Sequence, residues 1–198
     1  MPQKKLLVVA GPNGAGKSTF AEEFLRQHPM PFLSADLIAA ELSPENPTSQ
    51  RIEAGREFLV RVHRQLELQF DFLVETTLSG RSFRHIVERA KSADFIITII
   101  FVYQDSADMC VARVQERVRK GGHDVPEADI RRRFSRSFAN FWHVYRQIAD
   151  DWHVIYNSGS VFKRVAVGEG ETHTIDDESA FHEFLRLAGV NPNDQVSH

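Results

Sequence analysis

Residues 6–20, LLVVAGPNGAGKSTF, constrain the fold of this 198-residue chain more than any other segment. An apolar run leads there into a glycine-rich loop that matches the pattern G-x-x-x-x-G-K-[ST]. Glycines let the backbone N–H groups of such a loop turn inward around phosphates, and the helix that follows contributes the positive end of its dipole. The segment therefore predicts a strand, a loop and a helix that form a nucleoside-triphosphate site.

The residue types of this loop indicate individual roles. Lys17 can reach the β- and γ-phosphates, and the hydroxyl of Ser18 can ligate Mg²⁺. A dinucleotide site with the pattern G-x-G-x-x-G is excluded, because the glycines lie at positions 11, 14 and 16. The predicted nucleotide-binding residues are Gly11, Pro12, Asn13, Gly14, Ala15, Gly16, Lys17, Ser18 and Thr19.

Strand-like and helix-like runs alternate along the chain, which predicts an α/β P-loop fold with a mostly parallel sheet flanked by helices. The pattern of residues 106–137 predicts one helix before Gly121-Gly122 and one after it, which together form an arginine-rich lid. Residues 161–189 predict a hairpin, with its turn at 168–170, and a closing helix that packs on the core or forms a dimer contact. We expect residues 1–198 to form a single domain.

Composition excludes several classes of partner. The net charge of −3 gives no overall positive field for nucleic acid or an anionic membrane, so neither is expected as a partner. No apolar stretch approaches the ~20 residues that span a bilayer. The apolar run near the amino terminus leads into the glycine loop rather than a cleavage site. We expect a cytoplasmic protein, in which the single cysteine is a small packed residue.

Other P-loop classes fit poorly. Transporter-type ATPases carry an LSGGQ signature late in the domain, followed by a strand ending in Asp-Glu, whereas here Leu78-Ser79-Gly80 lies early and continues with Arg81. A GTP switch protein would show an N-K-x-D segment, and this sequence has none. The remaining class is the small-molecule kinase with a helical lid, which requires an acceptor-orienting carboxylate and positive charge over the transferred phosphoryl group.

Two carboxylates are candidates for the acceptor side. Asp36 follows the predicted second strand and Glu75 ends the third, so both lie at the carboxyl edge where α/β sheets bind ligands. Asp36 has the alternative role of N-cap for a helix beginning at Leu37. Glu75 can hold Mg²⁺ through water, and Thr76 and Thr77 can either bind an acceptor or cap a helix.

Arginines surround the predicted lid turn. Three arginines precede it and four follow it, so bidentate guanidinium contacts to the γ-phosphate are possible from both helices. The alternative is a solvated helix surface on which arginines pair with neighbouring carboxylates. We expect two or three arginines of the larger set to be functional; the set is Arg113, Arg117, Arg119, Arg131, Arg132, Arg133 and Arg136.

The segments GPNGAGKST, SADLIA, FLVETTLSG, GGHDVPEADIRRRFSRSFANFW and WHVIYNS resemble, in this order, the zeta-toxin-like kinases, and in particular their short stand-alone bacterial members. The resemblance implies a P-loop kinase that uses ATP or GTP with Mg²⁺, and Asp36 as the catalytic aspartate. It also implies acceptor binding by Glu75 and Thr77, and phosphate contacts from lid arginines at Arg117 before the turn and at Arg132 or Arg133 after it. Zeta toxins carry a basic residue shortly after that threonine, and Arg81 is the candidate here.

The acceptor of the best-known zeta toxins is UDP-N-acetylglucosamine, phosphorylated on a sugar hydroxyl, and the resemblance also implies a possible antitoxin protein as partner. We therefore expect phosphoryl transfer from ATP to a hydroxyl of a small molecule. A nucleoside, an antibiotic and a polynucleotide end are alternative acceptors. A nucleotide-binding regulator that hydrolyses ATP slowly and acts through a partner protein is an alternative function.

Overall fold

In the computed structural model, which describes residues 3–159 and 161–191, seven strands form one sheet in the order β2-β3-β1-β4-β5-β6-β7. The first five in this order are parallel, and β6 and β7 extend the sheet in antiparallel pairing. The expected mostly parallel sheet is therefore confirmed. The strands are β1 (Lys4–Ala10), β2 (Phe32–Ser34), β3 (Phe72–Thr76), β4 (Phe95–Tyr103), β5 (Asp151–Asn157), β6 (Phe162–Glu169) and β7 (Thr172–Ile175).

Helices connect the parallel strands, as crossovers between such strands require. These connecting helices are α1 (Lys17–Gln27), α2 (Ala35–Leu42), α3 (Arg51–Leu68), α4 (Phe83–Ser92), α5 (Ala107–Arg119), α6 (Glu127–Asn140) and α7 (Arg146–Ile148). A further helix, α8 (Glu178–Leu187), follows β7. A 3-10 turn (Pro47–Gln50) precedes α3, and a π-helical turn (Phe141–Tyr145) follows α6. The predicted hairpin turn at 168–170 is displaced, because β6 continues to Glu169 and pairs there with Thr172.

The central strand β1 is apolar on both faces because it pairs with β3 on one side and β4 on the other. Its last five residues are buried. The register aligns Ala10 with Thr76 of β3 and with Phe101 of β4. The carboxyl ends of β1 and β3 thus meet at one edge of the sheet, where the glycine loop and the segment after Glu75 come together.

The two sheet faces are covered unequally. Helix α1 packs on one face, where Ala21 contacts a small cluster with Val9 and Val102. The opposite face carries the larger core, which includes residues of α3, α4, α5, α6 and α8. Phe181 and Phe184 of α8 belong to this core, so the closing helix packs on it. Within residues 3–159 and 161–191, no helix is both long and apolar enough to cross a membrane.

Aromatic side chains fill the centre of the larger core. Phe138, Phe141 and Trp142 lie on the helix that follows the lid turn, and all three are buried. The ring of Phe141 stacks on Phe101 of β4, with ring centres 4.6 Å apart. The aromatic stripe of this helix therefore serves packing, as apolar residues at helical spacing usually do.

Candidate active site

The glycine loop occupies the gap between β1 and α1, and its backbone requires glycine at three positions. Gly11, Gly14 and Gly16 have φ angles of 134°, 82° and 97°, in the region that side-chain-bearing residues avoid. A Cβ atom on Gly14 would lie 2.4 Å from the carbonyl oxygen of Cys110 in α5. The loop is therefore both specially shaped and closely packed, as a cradle for phosphate requires.

Asn157, at the end of β5, holds this loop against the sheet. Its side-chain Nδ2 donates to the carbonyl oxygen of Ala15 at 2.8 Å, and its Oδ1 accepts from the backbone N–H of Gly159 at 2.9 Å. Gln104, after β4, donates to the backbone carbonyl of Asn157. Asn157 is 5% exposed, so these bonds form in a buried setting. Sequence patterns did not single out this residue, because the contact joins positions 142 residues apart.

Lys17 lies beneath the loop and faces Glu75. Its Nζ donates to the carbonyl oxygen of Pro12 at 3.0 Å and lies 3.7 Å from Oε1 of Glu75. The two side chains are only 6% and 9% exposed, so their charges attract through a medium less polar than water. The ion pair holds the Lys17 ammonium at the mouth of the loop, where it can meet an incoming phosphate.

Two cavities meet at this ion pair. One, here called the P-loop cavity, has a volume of about 430 Å³ and lies between the glycine loop and α5. The other, here called the α3–α4 cavity, has a volume of about 820 Å³ and lies between helices α3 and α4. Both cavities share the side chains of Asn13, Lys17, Asp36 and Glu75. The arrangement suits two ligands that approach one another at Lys17 and the two carboxylates.

The P-loop cavity collects most of the predicted nucleotide-binding residues. Ser18 and Thr19 begin α1 with exposed side chains at its wall, together with Gly14 and Gly16. Gly11, Pro12 and Ala15 are buried below the loop surface and shape it from behind. The cavity is large enough for a nucleotide phosphate chain, and its lining offers hydroxyl, amide and cationic groups.

Asp36 is the second residue of α2, with Ser34 at the N-cap position and no side-chain capping bond. The alternative that Asp36 caps a helix beginning at Leu37 is therefore wrong, since the helix begins two residues earlier, at Ala35. The Asp36 side chain is exposed and lines both cavities. A carboxylate in this position is available to a ligand.

The segment after β3 forms a wall of the α3–α4 cavity, and α6 with the π-helical turn holds it in place. Thr77 shares a 2.9 Å hydrogen bond with Ser79, and Leu78 has a positive φ of 51°. Asn140 donates to the carbonyl of Leu78 at 2.8 Å, and the Tyr145 hydroxyl donates to that of Gly80 at 2.7 Å. Burial raises the pKa of Tyr145 to about 12, which keeps that donor protonated. These bonds stabilise the strained conformation at Leu78.

The other predicted acceptor-binding residues have different placements. Thr77 and Glu75 line the α3–α4 cavity. Arg81 is exposed and lies near Tyr145, and it does not line either cavity within the described residues. Ser79 and Ser82, which flank Arg81 in the chain and were not predicted as site residues, do line the α3–α4 cavity.

Arg117 and Arg133 approach the two cavities from opposite sides of the lid turn. Arg117 lines the P-loop cavity and donates through Nη2 to the carbonyl of His123 at 2.6 Å. Its buried Nε has no hydrogen-bond partner within the described residues. Arg133 lines the α3–α4 cavity and donates to Oδ1 of Asn13 at 3.3 Å. Burial, and then the nearby Arg51, lower the pKa of Arg133.

The remaining lid arginines divide between cavity and solvent. Arg113 of α5 lines the P-loop cavity, although no motif distinguished it from the other lid arginines. Arg132 pairs with Asp129 at 2.8 Å, is about half exposed and lines neither cavity. Arg119 and Arg131 form exposed ion pairs on the helix surfaces. The solvated-surface interpretation is therefore confirmed for Arg119 and Arg131.

Oxygen ligands for a divalent cation are also present. Ser18, Asp36 and Glu75 line the P-loop cavity together, and Mg²⁺ in nucleotide sites typically uses one or two such groups with phosphates and water. No cluster of three or more His, Cys, Asp or Glu side chains suited to a metal ion occurs in the part of the chain that the structure describes. The donor set fits a cation brought in with a nucleotide rather than a dedicated metal site.

Sequence comparison agrees with this geometry. Residues 6–139 match the model of the AAA domain family. A protein of Haemophilus influenzae, described only as uncharacterized, is 30% identical over 132 residues, which make up 67% of this chain and 94% of that protein. Residues 6–139, the span of the family match, contain the glycine loop, both candidate carboxylates and both sides of the lid turn.

Solved structures extend the similarity to almost the whole chain. A chain of the PezAT chromosomal toxin–antitoxin system of Streptococcus pneumoniae is similar with a TM-score of 0.68 at 14% identity, covering 100% of this chain and 89% of that one. A chain of the AvrRxo1-ORF1:-ORF2 complex with ATP gives 0.73 at 13%, covering 99% and 66%. A gluconokinase from Sinorhizobium meliloti gives 0.52 at 16%, covering 96% of each. The resemblance to zeta-toxin-like P-loop kinases is thus confirmed for the fold.

Proposed function

The chain belongs to the AAA domain family, and we propose that it is an ATP-dependent phosphotransferase that acts on a hydroxyl group of a small molecule. One observation carries the proposal: the cavity beside the glycine loop and the larger α3–α4 cavity share Lys17, Asp36 and Glu75. A hydrolase needs only the first cavity and a water molecule. A second cavity that opens onto the same carboxylates suits an acceptor.

The proposed transfer divides its work among a few residues. The Asp36 carboxylate accepts the proton of the acceptor hydroxyl while that oxygen forms a bond to the γ-phosphorus. The bond from the γ-phosphorus to the oxygen that bridges it to the β-phosphorus then breaks, which leaves ADP and a phosphorylated acceptor. Lys17 neutralises charge on the β- and γ-phosphates, and Arg117 and Arg133 stabilise the phosphoryl group during transfer.

We infer that Mg²⁺ accompanies the nucleotide. Ser18 would ligate it directly, and Glu75 or Asp36 would hold its water ligands, since these groups line the same cavity. When bound, the cation supplies positive charge that draws electron density from the phosphate oxygens. GTP is the alternative donor, because the groups that line the P-loop cavity would contact the phosphates rather than the base.

For the acceptor we propose a UDP-activated amino sugar such as UDP-N-acetylglucosamine. The support is the resemblance of the quoted segments to zeta-toxin-like kinases, together with a cavity of about 820 Å³, which suits a ligand of that size. Thr77 and Ser79 are positioned to bind hydroxyl groups of the acceptor. Similarity to a chain of a toxin–antitoxin system supports a protein antitoxin as a partner.

Acceptor-dependent release of ADP tests this proposal. Purified protein with Mg·ATP is assayed with UDP-N-acetylglucosamine, a nucleoside, an aminoglycoside and an oligonucleotide with a free 5′-hydroxyl. ADP release that requires one of these acceptors, and that falls by about 10²–10⁴-fold in Asp36→Asn, supports the phosphotransferase. Slow ADP release that no acceptor stimulates, and that Asp36→Asn leaves unchanged, would instead support a nucleotide-binding regulator.

A further inference from the structure

The α3–α4 cavity extends well beyond the carboxylates at its upper end. Helix α3 begins at the carboxyl edge of the parallel strands, here called the catalytic edge, where Arg51 lies 3.6 Å from Asp129 of α6. Helix α4 ends at the opposite edge, where Lys91 pairs at 2.9 Å with Asp150, directly before β5. Both helices therefore run from the catalytic edge of the sheet toward the opposite edge, and the cavity follows them.

One face of each helix lines this cavity along its length. The spacing of three and four residues places the lining side chains of each helix in a single row. The rows are Gly55, Phe58, Leu59 and His63 on α3, and Phe83, His85, Ile86 and Arg89 on α4, with Ser82 at the N-cap position directly before them. At a rise of ~1.5 Å per residue, the ends of the rows lie ~10–12 Å below their beginnings.

Charge is distributed unevenly between the two ends. Both acidic side chains that line the cavity, Asp36 and Glu75, lie at the upper end, beside Lys17 and Arg133. The lower end is lined by Arg89 and two imidazoles, and no acidic side chain lines it among the described residues. Glu88 lies 3.3 Å from Nδ1 of His85 but does not line the cavity. The two acidic and two basic side chains of the upper end therefore balance, whereas the guanidinium of Arg89 at the lower end faces no opposing charge in the lining and attracts an anion.

Arg89 differs from its neighbour Arg84 in a way that suits ligand binding. Arg84 pairs with Glu88 at 2.6 Å and does not line the cavity. The guanidinium of Arg89 has no ion pair or side-chain hydrogen bond to any of the described residues, and the imidazole of His63 is likewise unpaired within them. The guanidinium of this lining residue is thus not engaged elsewhere, and its fork of five N–H donors matches phosphate or carboxylate.

We propose that the lower end of the α3–α4 cavity, formed by His63, His85 and Arg89, binds an anionic group of the acceptor. The acceptor is then an elongated molecule with a phosphate or carboxylate ~10 Å from the hydroxyl that receives the phosphoryl group. Apolar contact in the middle comes from Phe58 and Ile86. This inference rests on the proposed function and adds the orientation and charge of its substrate.

Binding measurements test the inference without requiring turnover. The full chain is saturated with Mg²⁺ and a non-hydrolysable ATP analogue, so that the P-loop cavity is filled. Isothermal titration then compares matched pairs: uridine with UMP, N-acetylglucosamine with its 1-phosphate, and sorbitol with gluconate. The pairs separate a phosphate requirement from a carboxylate requirement, because each pair differs only in the anionic group or in one oxidised carbon.

At least one anionic member is expected to bind tenfold or more tightly than its neutral partner. Arg89→Gln removes most of that difference, since a hydrogen bond to a charged group is worth roughly ten- to a hundredfold in affinity. Arg89→Lys retains part of it, because it keeps the charge. Arg84→Gln is the matched control and leaves it intact.

Three results would overturn the inference: equal binding within every pair, no binding of any anionic member, or equal losses in the Arg89→Gln and Arg84→Gln variants. Thermal unfolding of each variant shows whether the fold is retained, and Arg89→Lys tests the same group with the charge kept. A protein that binds the anionic members in this way but transfers no phosphoryl group would contradict the proposed function alone.

Discussion

Asn157→Ala is the substitution that best tests how the glycine loop is held. The substitution removes two hydrogen bonds. One is donated to the carbonyl of Ala15, a fully buried residue, and the other is accepted from the N–H of Gly159, an exposed residue. Water can replace the second bond but not the first, and a buried carbonyl left without a partner costs about 1–3 kcal/mol. We therefore expect the free energy of unfolding to fall by about 2 kcal/mol, which corresponds to a Tm lower by about 4–8 °C in a chain of this size.

Urea unfolding followed by tryptophan fluorescence measures the change, and isothermal titration with an ATP analogue measures its effect on the loop. Asn157→Asp keeps the acceptor for Gly159 but sets an oxygen against Ala15, so it is expected to lose as much stability as Asn157→Ala. Asn46→Ala, at an exposed position without a side-chain capping bond, is the control and changes stability by less than about 0.5 kcal/mol. Unchanged unfolding and nucleotide binding in both Asn157 variants would refute the role of this residue.

Three further predictions concern the lid, the acceptor wall and the cysteine. Arg133→Ala is expected to lower the rate of phosphoryl transfer at least tenfold, whereas Arg132→Ala, which removes an exposed ion pair, stays within twofold; equal effects would contradict the assignment. Asn140→Ala frees the carbonyl of Leu78 and is expected to raise KM for the acceptor severalfold while the Kd for ATP is unchanged, a separation that steady-state kinetics and titration can verify or disprove. Burial raises the pKa of Cys110 to about 12, so its thiol stays protonated at pH 8 and iodoacetamide should modify it only after unfolding; rapid labelling of the folded protein would show that the thiol is accessible.

Local patterns predicted most of the fold. Helix α1 begins at Lys17, directly after the glycine loop, as the strand–loop–helix pattern predicted. The central strands were recognisable from their continuous apolar runs, which only a strand covered on both faces tolerates. The predicted position of the hairpin turn was wrong by about two residues. Gly168 is still part of β6, where it pairs with His173 of β7 and packs against Trp152.

The candidate site was predictable where it depends on one segment of chain, and less so where distant segments meet. The glycine loop and the residues after β2 and β3 followed from pattern and from the rule that ligands bind at the carboxyl edge. The choice among seven lid arginines needed the structure, because helix rotation decides which side chains reach the cavity. Asn157 and Asn140 lie in segments that resemble the family but were assigned no role there, and Arg89 lies outside them; their importance appears only when the contacts and cavity walls are known.

Mass spectrometry of a metabolite extract shows whether the protein transfers a phosphoryl group to a small molecule and whether the transfer needs Asp36. The extract is incubated with Mg·ATP and either the intact protein or Asp36→Asn, and the products are compared. If Asp36 acts in the transfer, the intact protein produces a new species heavier by one phosphoryl group, and the variant does not. Equal accumulation of ADP in both samples, with no new phosphorylated metabolite, would contradict a role for Asp36 in transfer and favour a nucleotide-hydrolysing regulator.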